Sequence, residues 1–505
     1  MHLKTCFDDH KGFSRKLSGG FIGAFLAMLA GCTAETSQNA SEVAAMPGIW
    51  PDYIGVTVPR NIAPLNFNMA DSALAMDVSI QGADGTVIRS QGSEASGISI
   101  RQWHKLLDQN SGDSVMVTVA AKYADGWRQY RPFPIYVSHD SIDYGLTYRL
   151  IAPGYEVYSK MGIYERNLSN YDEKAILENT QVDGCMNCHA YNQCDPDWYS
   201  MHVRGSHGAT LLRKDGEMAV YDTSTDATLG LCVYPYWHPS GRYIAYSTNN
   251  TRQGFHISGK KRLEVFDYAS DVQAYDTETG QLLAPAILKR DSVWETFPAF
   301  SPDGASLYFC AAAPQEIPQG LDQVRYDLLK ISFDPATGRF GQEIDTVIHA
   351  SAMGKSVSWP KPSFDGKHLA YTLSDYGNFS IWHPESDIHI LDLATGESKP
   401  MALANSEDAD SYHNWSSNSR WMVIGSRRDD GWHTRAYICH VDDEGNASKP
   451  FLLPQENPRR YYDQQYRSYN IPEFVKRPVD LDKFEAERIL TSPDRIKMKV
   501  KGREE

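Results

Sequence analysis

One pattern returns four times in the second half of the chain, and it limits the possible folds more than any other feature. Each copy has an aromatic residue, then a turn of the Ser/Pro-Asp-Gly type, then a strand of alternating apolar residues. The copies are 234–247 (YPYWHPSGRYIAYS), 297–310 (FPAFSPDGASLYFC), 359–373 (WPKPSFDGKHLAYTL) and 412–426 (YHNWSSNSRWMVIGS). Their turn positions, Gly241, Gly304, Gly366 and Ser419, lie 53 to 63 residues apart. Repeats of this length with recognisable strands are typical of a β-propeller, in which each sheet is one blade.

These repeats resemble the propeller repeat of TolB, which also occurs in the propellers of dipeptidyl peptidases and tricorn-type proteases. The resemblance covers residues 209–455 and implies a TolB-like β-propeller. Four blades are clear from the repeats, and the length of the region fits five or six. Residues 211–221 (LLRKDGEMAVY) indicate a degenerate early blade. The turn has a local cause, because Asp accepts hydrogen bonds from its own turn and Gly tolerates a positive φ.

The peptidases with such propellers carry an α/β-hydrolase domain with a Gly-x-Ser-x-Gly elbow. This sequence contains no such motif, and about 50 residues follow the last repeat. We therefore expect a binding or electron-transfer protein and identify no catalytic residue. The tail at 456–505 is charged, with a possible helix at 481–489, and we expect it to wrap the propeller without contributing chemistry.

The region before the repeats also favours strands, so the whole chain is predicted to be all-β. Residues 78–80 and 115–119 alternate between apolar and polar, and Gly82, Asp84-Gly85 and Asp125-Gly126 supply turns. Only 100–107 (IRQWHKLL) favours a helix. These patterns predict an N-terminal β-sandwich over residues 51–165.

The N-terminus indicates export. Three basic residues, Lys11, Arg15 and Lys16, precede the apolar run 21–30 (FIGAFLAMLA), which is too short to cross a bilayer. Residues 29–32 (LAGC) resemble the lipobox of bacterial lipoproteins. That resemblance implies a signal peptide at 1–31, lipidation of Cys32 and a tether at 32–50. We expect a cell-envelope lipoprotein on the outer membrane. The sequence does not indicate whether the protein lies on the periplasmic or the outer face of that membrane.

The charge balance limits the partners. The chain carries a formal net charge of −15, and removal of residues 1–31 makes it more acidic. An acidic surface disfavours binding to nucleic acid and attachment to a membrane through clustered basic residues. The expected partners are a membrane, through the lipid anchor, and a redox or envelope protein that docks on the propeller.

The segment 184–208 (GCMNCHAYNQCDPDWYSMHVRGSHG) holds three cysteines and three histidines. Its Cys-x-x-Cys-His resembles the haem attachment signature of c-type cytochromes. The resemblance implies that Cys185 and Cys188 form haem thioethers and that His189 is the proximal iron ligand. We place this haem c segment at 166–208, as an insertion between the sandwich and the propeller.

A six-coordinate iron needs a second axial ligand. The candidates are His202 and His207, which the sequence leaves as alternatives, with Met201 as a weaker one. Arg204 is a possible partner for a haem propionate, since guanidinium pairs bidentately with carboxylates.

Two alternatives to haem remain open. Cys185, Cys188, Cys194 and one histidine would complete a tetrahedral zinc site. A disulfide is also possible between Cys194 and Cys232, with or without haem, or between Cys185 and Cys188. Cys310 and Cys439 lie in predicted blade strands and are expected to be buried core residues.

As a whole, the chain resembles Bacteroidetes lipoproteins that carry Cys-x-x-Cys-His beside TolB-like repeats. Three functions follow from the sequence. The first is electron transfer by one covalent haem, with the propeller as a docking platform. The second is a TolB-like envelope interaction protein whose cysteine segment is structural. The third is a haem enzyme with an open iron site.

Overall fold

The computed structural model describes residues 37–153 and 160–501. The predicted signal peptide at 1–31 and the lipidation site Cys32 lie outside the described residues. No helix in the described ranges is long and apolar enough to cross a membrane.

The N-terminal domain contains short strands and one long helix. Its elements are β1 (Ser41–Glu42), β2 (Ile49–Trp50), β3 (Thr57–Pro59), β4 (Asn68–Met69), β5 (Ala75–Gly82), β6 (Val87–Gly92), α1 (Ile100–Gln109), β7 (Ser114–Tyr123), β8 (Gly126–Gln129) and β9 (Phe133–Ser138). The predicted sandwich takes the form of a seven-stranded sheet, β1-β8-β7-β5-β6 with β9 and β3 attached, and a two-stranded sheet of β2 and β4. Residues 41–50, assigned to a tether from sequence, instead supply β1 and β2.

The core of this domain follows from its sequence pattern. Alternate residues of β5 are buried, as the period of a half-buried strand requires. Helix α1 covers the sheet with three large apolar side chains, Trp103, Leu106 and Leu107, which are fully buried. The Trp103 indole N–H donates to the Ile62 carbonyl at 3.1 Å, so its one polar atom is satisfied.

The rest of the chain forms the blades of a propeller. The first two blades contain β10 (Gly145–Ile151), β11 (Gly162–Asn167), β12 (Glu173–Glu178), the short helix α2 (Asn179–Val182), β13 (Gly184–Asn192), β14 (Asp195–Gly205), β15 (Ala209–Lys214) and β16 (Glu217–Asp222). The third and fourth contain β17 (Cys232–Trp237), β18 (Tyr243–Phe255), β19 (Leu263–Asp276), β20 (Gln281–Leu283), β21 (Trp294–Phe300), β22 (Ser306–Ala312), β23 (Asp327–Asp334) and β24 (Arg339–Ile348).

The remaining blades and the tail complete the ring. They contain β25 (Ser356–Pro362), β26 (His368–Ser374), β27 (Asp387–Asp392), β28 (Ser398–Pro400), β29 (Asp410–Trp415), β30 (Trp421–Ser426), β31 (Arg435–His440), β32 (Phe451–Leu452), α3 (Pro458–Gln464), β33 (Ser468–Val475), α4 (Lys483–Thr491), β34 (Ile496–Lys497) and β35 (Lys499–Val500). Short 3-10 turns occur at Ser37–Asn39, Ala286–Leu288, Leu321–Gln323, Ser351–Met353 and Ser380–Trp382.

Six blades form the ring in the described part of the chain, and the two ends of the propeller sequence share the first one. Strand β33 pairs with β10, so the sheet order is β12-β11-β10-β33. A C-terminal strand thus closes the ring by hydrogen bonds. The propeller therefore begins with β10, at residue 145, and not at residue 209 as predicted.

The C-terminal tail also extends two other blades. Strand β34 pairs with β16 in the second blade, and β35 pairs with β20 in the third, both in parallel. Helix α4 lies where a helix was predicted at 481–489, and its N-cap Asp482 accepts hydrogen bonds from the backbone N–H of Phe484 and Glu485. The tail therefore wraps the propeller and also supplies β33, which closes the ring.

The repeated turns form as their sequences predict. Gly241, Gly304 and Gly366 all have φ near +70°, and Ser419 adopts +59° at the equivalent position. In the fourth blade, Asp303 accepts a hydrogen bond from the Ala305 backbone N–H at 3.0 Å. A side chain that caps its own turn and a residue at positive φ explain why this motif recurs.

Each inner strand contains the same irregularity. The pairing register shifts by one residue at Tyr234, Phe297, Trp359, Tyr412 and Ile471, and each of these has a φ between +48° and +54°. Non-glycine residues at positive φ are strained and cluster at functional positions. The bulge turns five side chains toward the axis of the propeller.

The Cys-x-x-Cys-His motif lies within this same repeated element. It forms β13, the inner strand of the second blade, whose register shifts between Met186 and His189. Cys188 thus stands where Pro235, Pro298 and Pro360 stand in later blades. The motif is an extended strand of the propeller, which corrects its prediction as an insertion at 166–208.

Candidate functional site

The largest cavity near the axis has a volume of about 770 Å³ and lies at one end of the central channel. We call it the arginine cavity and call this end of the channel the upper end. It is lined by the start of two inner strands, at Cys185 and Ser468, and by side chains from other blades. This volume is within the range of small-molecule binding sites, about 300–1,000 Å³.

Three arginines from different blades reach this cavity: Arg149 on β10, Arg204 on β14 and Arg427 just after β30. Arg149 donates to the Met186 carbonyl at 3.3 Å. Among the described residues, neither Arg204 nor Arg427 has a carboxylate within ion-pair distance. Asp408 and Asp430 act on Arg427 from farther away, so these two arginines carry positive charge that no directly paired carboxylate among the described residues offsets.

Arg427 is held rigidly. Its side chain is 2% exposed and its guanidinium carbon lies 3.1 Å from the centre of the Trp382 ring. It donates one hydrogen bond to the Trp432 carbonyl. Burial lowers its pKa to about 9, because a charged guanidinium loses solvation there. A buried cation without a paired carboxylate is a strong site for an anionic group.

The floor of the cavity is formed by Tyr234, Trp359 and Tyr412, which together with Phe297 make a cluster of aromatic rings that we call the aromatic plug. Ring centres lie 4.6 Å apart for Tyr234 and Phe297, 4.7 Å for Phe297 and Trp359, and 4.9 Å for Trp359 and Tyr412. These residues occupy the bulge positions of the third to sixth blades. The plug closes the channel and offers a flat apolar surface below the arginines.

Both motif cysteines also line the arginine cavity. Cys185 is partly exposed, and its backbone lies opposite Arg204 in the sheet. Cys188 is buried, and burial raises the pKa of its thiol. Strand β13 thus presents two sulfur atoms to the space that the arginines surround.

A long hairpin covers the cavity. Strands β18 and β19 extend past their blade as an arm, residues 250–267, which begins at a register shift between Asn250 and Thr251. Alternate residues of the arm face the cavity: Thr251, Gln253, Phe255, Leu263 and Val265. The upper wall is therefore mostly apolar, whereas the lower walls carry arginine.

Below the plug the channel is almost filled. Two cavities of about 40 and 20 Å³ remain there, each large enough for one or two waters. Lys361 Nζ lies 3.8 Å from Glu473 Oε1, and the Tyr191 backbone N–H donates to Glu473 Oε2 at 3.1 Å. Burial raises the pKa of Glu473 to about 7 and lowers that of Lys361.

The predicted iron ligands do not meet the thiols in the arginine cavity. His189 lines the smaller channel cavity with Lys361 and Glu473. It is 2% exposed, and burial lowers its pKa to about 3. His202 is buried within the blade, where its ring lies 3.3 Å from the Thr210 hydroxyl, and Met201 belongs to the blade core.

His207 is in the turn after β14 and, like His202, does not line the cavity. Arg204, predicted as a propionate partner, does line it. The structure thus brings Cys185, Cys188 and Arg204 together in the arginine cavity. Cys188 also lines the smaller channel cavity beside His189, whereas His202 and His207 line neither.

The zinc and disulfide alternatives also separate in space. Cys194 lies in the turn between β13 and β14, with its thiol 3.6 Å from the Trp415 carbonyl, and it lines a lower cavity. No group of three or more His, Cys, Asp or Glu side chains in the described ranges is arranged to hold a metal ion. No disulfide joins Cys194 to Cys232 or Cys185 to Cys188 in the described structure. Cys310 and Cys439 are buried in blade strands, as predicted.

Sequence reasoning missed Arg149, Arg427, the aromatic plug and the arm. Arg149 and Arg427 are 278 residues apart in the sequence, so only the closed ring brings them together. The plug had a visible signal, because the aromatic residue at the start of each repeat is the residue that bulges. The arm had one too, since β18 and β19 have 13 and 14 residues, about twice the length of neighbouring strands.

No family model matches the chain, and no curated protein matches it. Several solved structures show a distant likeness. An oligogalacturonate lyase in complex with manganese is 16% identical with a TM-score of 0.35, over 60% of this chain and 78% of that one. A prolyl endopeptidase is 11% identical with a TM-score of 0.34, over 61% of this chain and 42% of that one.

A DUF4784 family protein from Bacteroides caccae is 9% identical with a TM-score of 0.29. That likeness covers 70% of this chain and 94% of that one. None of these values is high enough to carry an activity from one protein to the other.

Proposed function

We propose that this chain is a binding protein whose ligand is an anion with a flat apolar body, held in the arginine cavity. The observation that supports it is the convergence of Arg149, Arg204 and Arg427 from three blades on one cavity of about 770 Å³. Such cavities in proteins combine apolar walls with a few polar groups that fix orientation.

The chemistry of the walls selects the ligand class. Guanidinium groups pair with carboxylate, sulfonate or phosphate oxygens by charge-assisted hydrogen bonds. The plug below and the apolar arm above suit a planar ring system between them. A small hydrophilic anion would leave these apolar surfaces uncovered, so the ligand needs both parts.

A direct test uses 2,6-naphthalenedicarboxylate, a flat dianion whose own fluorescence reports binding. We expect one binding site per chain. The variant Arg204→Gln should weaken binding about tenfold or more, since a hydrogen bond to a charged group contributes about 1.5–3 kcal/mol. Arg204 is exposed to the cavity, so its replacement should leave the fold intact.

The matched control is Arg252→Gln. Arg252 is an exposed arginine on the arm, it stacks on Tyr268 and it does not line the cavity. Its loss should change affinity less than twofold. Absence of binding at millimolar probe, or an equal loss of affinity in both variants, would refute the proposed site.

A second candidate function is electron transfer by a covalently attached haem c. The observation that favours it is that Cys185 and Cys188 line one cavity together with three arginines. The thiols would form the thioethers and the arginines would pair with the propionates. Bound haem would supply one-electron chemistry at its iron. His189 does not fit the role of proximal ligand as the chain is folded, because it shares the smaller cavity with Cys188 and does not line the cavity that holds Cys185 and the arginines.

Expression with c-type maturation machinery tests this candidate. Haem that resists acid-acetone extraction, gives a pyridine haemochrome spectrum and disappears in Cys185→Ala/Cys188→Ala would support it. A colourless protein with two free thiols in the cavity would eliminate it and leave the anion-binding proposal untouched.

We also propose that Cys32 anchors the chain to the envelope, on the strength of the LAGC sequence and the apolar run before it. A mature chain of this kind would take radiolabelled palmitate in a bacterial host, and Cys32→Ser would take none. Equal labelling of both proteins would contradict the anchor.

A further inference from the structure

The arm has a firm base. Asp267, where the arm leaves the blade, is 2% exposed and accepts hydrogen bonds from three side chains. These are Asn249 Nδ2 at 3.0 Å, the Tyr326 hydroxyl at 3.0 Å and Asn378 Nδ2 at 2.7 Å. Burial raises the pKa of Asp267 to about 6, against the effect of these donors. Buried, fully satisfied groups of this kind hold one conformation.

The middle of the arm is anchored by one buried cluster. Glu264 Oε2 lies 3.0 Å from His383 Nε2, and Glu264 Oε1 accepts a hydrogen bond from the Tyr376 hydroxyl at 2.7 Å. His383 and Tyr376 belong to the fifth blade, two blades along the ring from the third blade, which carries the arm. The hairpin therefore reaches past the fourth blade at the upper end of the channel.

The tip of the arm is held more weakly. Lys260 Nζ lies 2.9 Å from Asp408 Oδ2, and Lys261 Nζ lies 2.7 Å from Glu385 Oε1. The lysine side chains are 63% and 30% exposed. Their carboxylate partners are 11% and 26% exposed, and Lys261 and Arg262 also lie over the Tyr376 and Trp432 rings, at 4.3 and 5.2 Å. Charged contacts that are partly open to solvent contribute little each, so the tip depends on several of them. The tip also leaves Ile257 94% exposed, so little apolar surface holds it down.

This gradient from base to tip lies directly over the arginine cavity. Arm residues Phe255 and Leu263, next to the tip, line that cavity from above. The plug and the filled channel close the route from the lower end, so a ligand that covers both the plug and the arginines enters from the upper end, where the arm lies.

Resting on the proposed function, we propose that the arm is a lid: its tip lifts from Asp408 and Glu385 to admit the ligand, while Asp267 keeps its base and Glu264 its middle in place. The Lys260 and Lys261 ion pairs then set how often the cavity is open. The regulation is local and electrostatic, so salt that screens exposed pairs favours the open arm.

Cys185 reports access to the cavity without any ligand. Of the six cysteines in the described part of the chain, it alone is not buried. The full chain, purified without haem maturation, is labelled with bulky fluorescein maleimide and, separately, with small methyl methanethiosulfonate. The variant Cys185→Ser gives the background from every other cysteine.

Lys260→Gln/Lys261→Gln should increase the rate of bulky labelling about two- to tenfold, because two weak pairs no longer hold the tip. The small reagent should gain less. The matched control, Lys330→Gln/Lys367→Gln, removes two exposed ion pairs, with Asp345 and Asp443, away from the cavity. It should label at the wild-type rate.

A bulky-labelling rate no higher than that of the control would overturn the lid. Equal acceleration of both reagents would also overturn it, because a lifting lid discriminates by size. The titration with 2,6-naphthalenedicarboxylate tests the ligand class and does not depend on the labelling result. Faster labelling with no probe binding in any variant would keep the lid and reject the ligand class.

Discussion

The two ends of the central channel arrange charge in opposite ways. Above the aromatic plug, Arg204 and Arg427 face a cavity of about 770 Å³ without a carboxylate from the described residues to pair with. Below it, Lys361 and Glu473 lie 3.8 Å apart in a channel that has room only for isolated waters.

Charge is balanced where the channel is closed and unbalanced where it is open. The lower pair joins blades across the axis, since Lys361 is on β25 and Glu473 is on the ring-closing strand β33. We infer that the lower end stabilises the ring and the upper end binds the ligand. Substitutions of the same chemical type should therefore have different effects at the two ends.

The largest effect is expected from Lys361→Ala. The substitution leaves Glu473 buried without its cation, and loss of one member of a buried pair costs about 3–5 kcal/mol of unfolding free energy. Urea unfolding followed by circular dichroism measures this. Binding of 2,6-naphthalenedicarboxylate to the folded fraction should not change.

The double variant Lys361→Met/Glu473→Gln is the matched control. It removes both charges and keeps similar volumes, so its stability should return to within about 1 kcal/mol of wild type. If the single and double variants lose the same unfolding free energy, an unpaired Glu473 does not explain the instability of Lys361→Ala.

An intermediate effect is expected from acid. His413, on the inner strand β29 beside the plug, is 1% exposed, and burial lowers its pKa to about 4. The pKa of a histidine in the unfolded chain is near 6.5. Between pH 6.5 and about 4, the unfolded chain therefore binds a proton at His413 and the folded chain does not. The resulting stability is present above pH 6.5 and is lost as the pH falls toward 4.

His413→Gln should remove this dependence, which amounts to about 2 kcal/mol between pH 6.5 and 5. Unfolding midpoints at the two pH values, for both proteins, measure it. The same acid sensitivity in both proteins would place the titrating groups elsewhere.

The smallest effect on stability is expected at the upper end. Arg204→Gln should change the unfolding free energy by less than about 0.5 kcal/mol, as is usual for exposed positions. The same variant is expected to lose about tenfold in probe affinity. A large loss of stability would mean that Arg204 is structural, and the distinction between the two ends would fail.

The sequence predicted the propeller because four blades repeat the turn that Gly241, Gly304 and Gly366 form at positive φ. It missed the first blade, whose inner strand β33 comes from the tail, 317 residues after the end of β10. No local sequence pattern predicts that β10 and β33 pair across that distance.

The second blade was hidden for a different reason. Its first turn has Gln193 and Cys194 at positive φ in place of Asp-Gly. Its inner strand carries the Cys-x-x-Cys-His motif, which indicated haem attachment and not a propeller strand. Alignment of CMNCHAYN with CVYPYWHP, residues 185–192 with 232–239, would have placed it in the ring. Both begin with Cys, and both shift register at the third residue.

The site was less predictable than the fold. Cys185, Cys188 and Arg204 follow from the motif and its flanks, and the structure places them together. The position of His189 does not, because it follows the register shift of β13 and lines the smaller cavity, which Cys188 also lines but Cys185 does not. A helical or turn conformation, which the haem signature suggested, would have kept the imidazole beside the thiols.

The central claim is that the ligand occupies the arginine cavity, and protection of Cys185 tests it most directly. The rate at which methyl methanethiosulfonate labels Cys185 is measured with and without saturating 2,6-naphthalenedicarboxylate. We predict labelling at least about tenfold slower when the probe is bound, because Cys185 and the arginines share one cavity. An unchanged rate at full occupancy would place the ligand elsewhere and contradict the account.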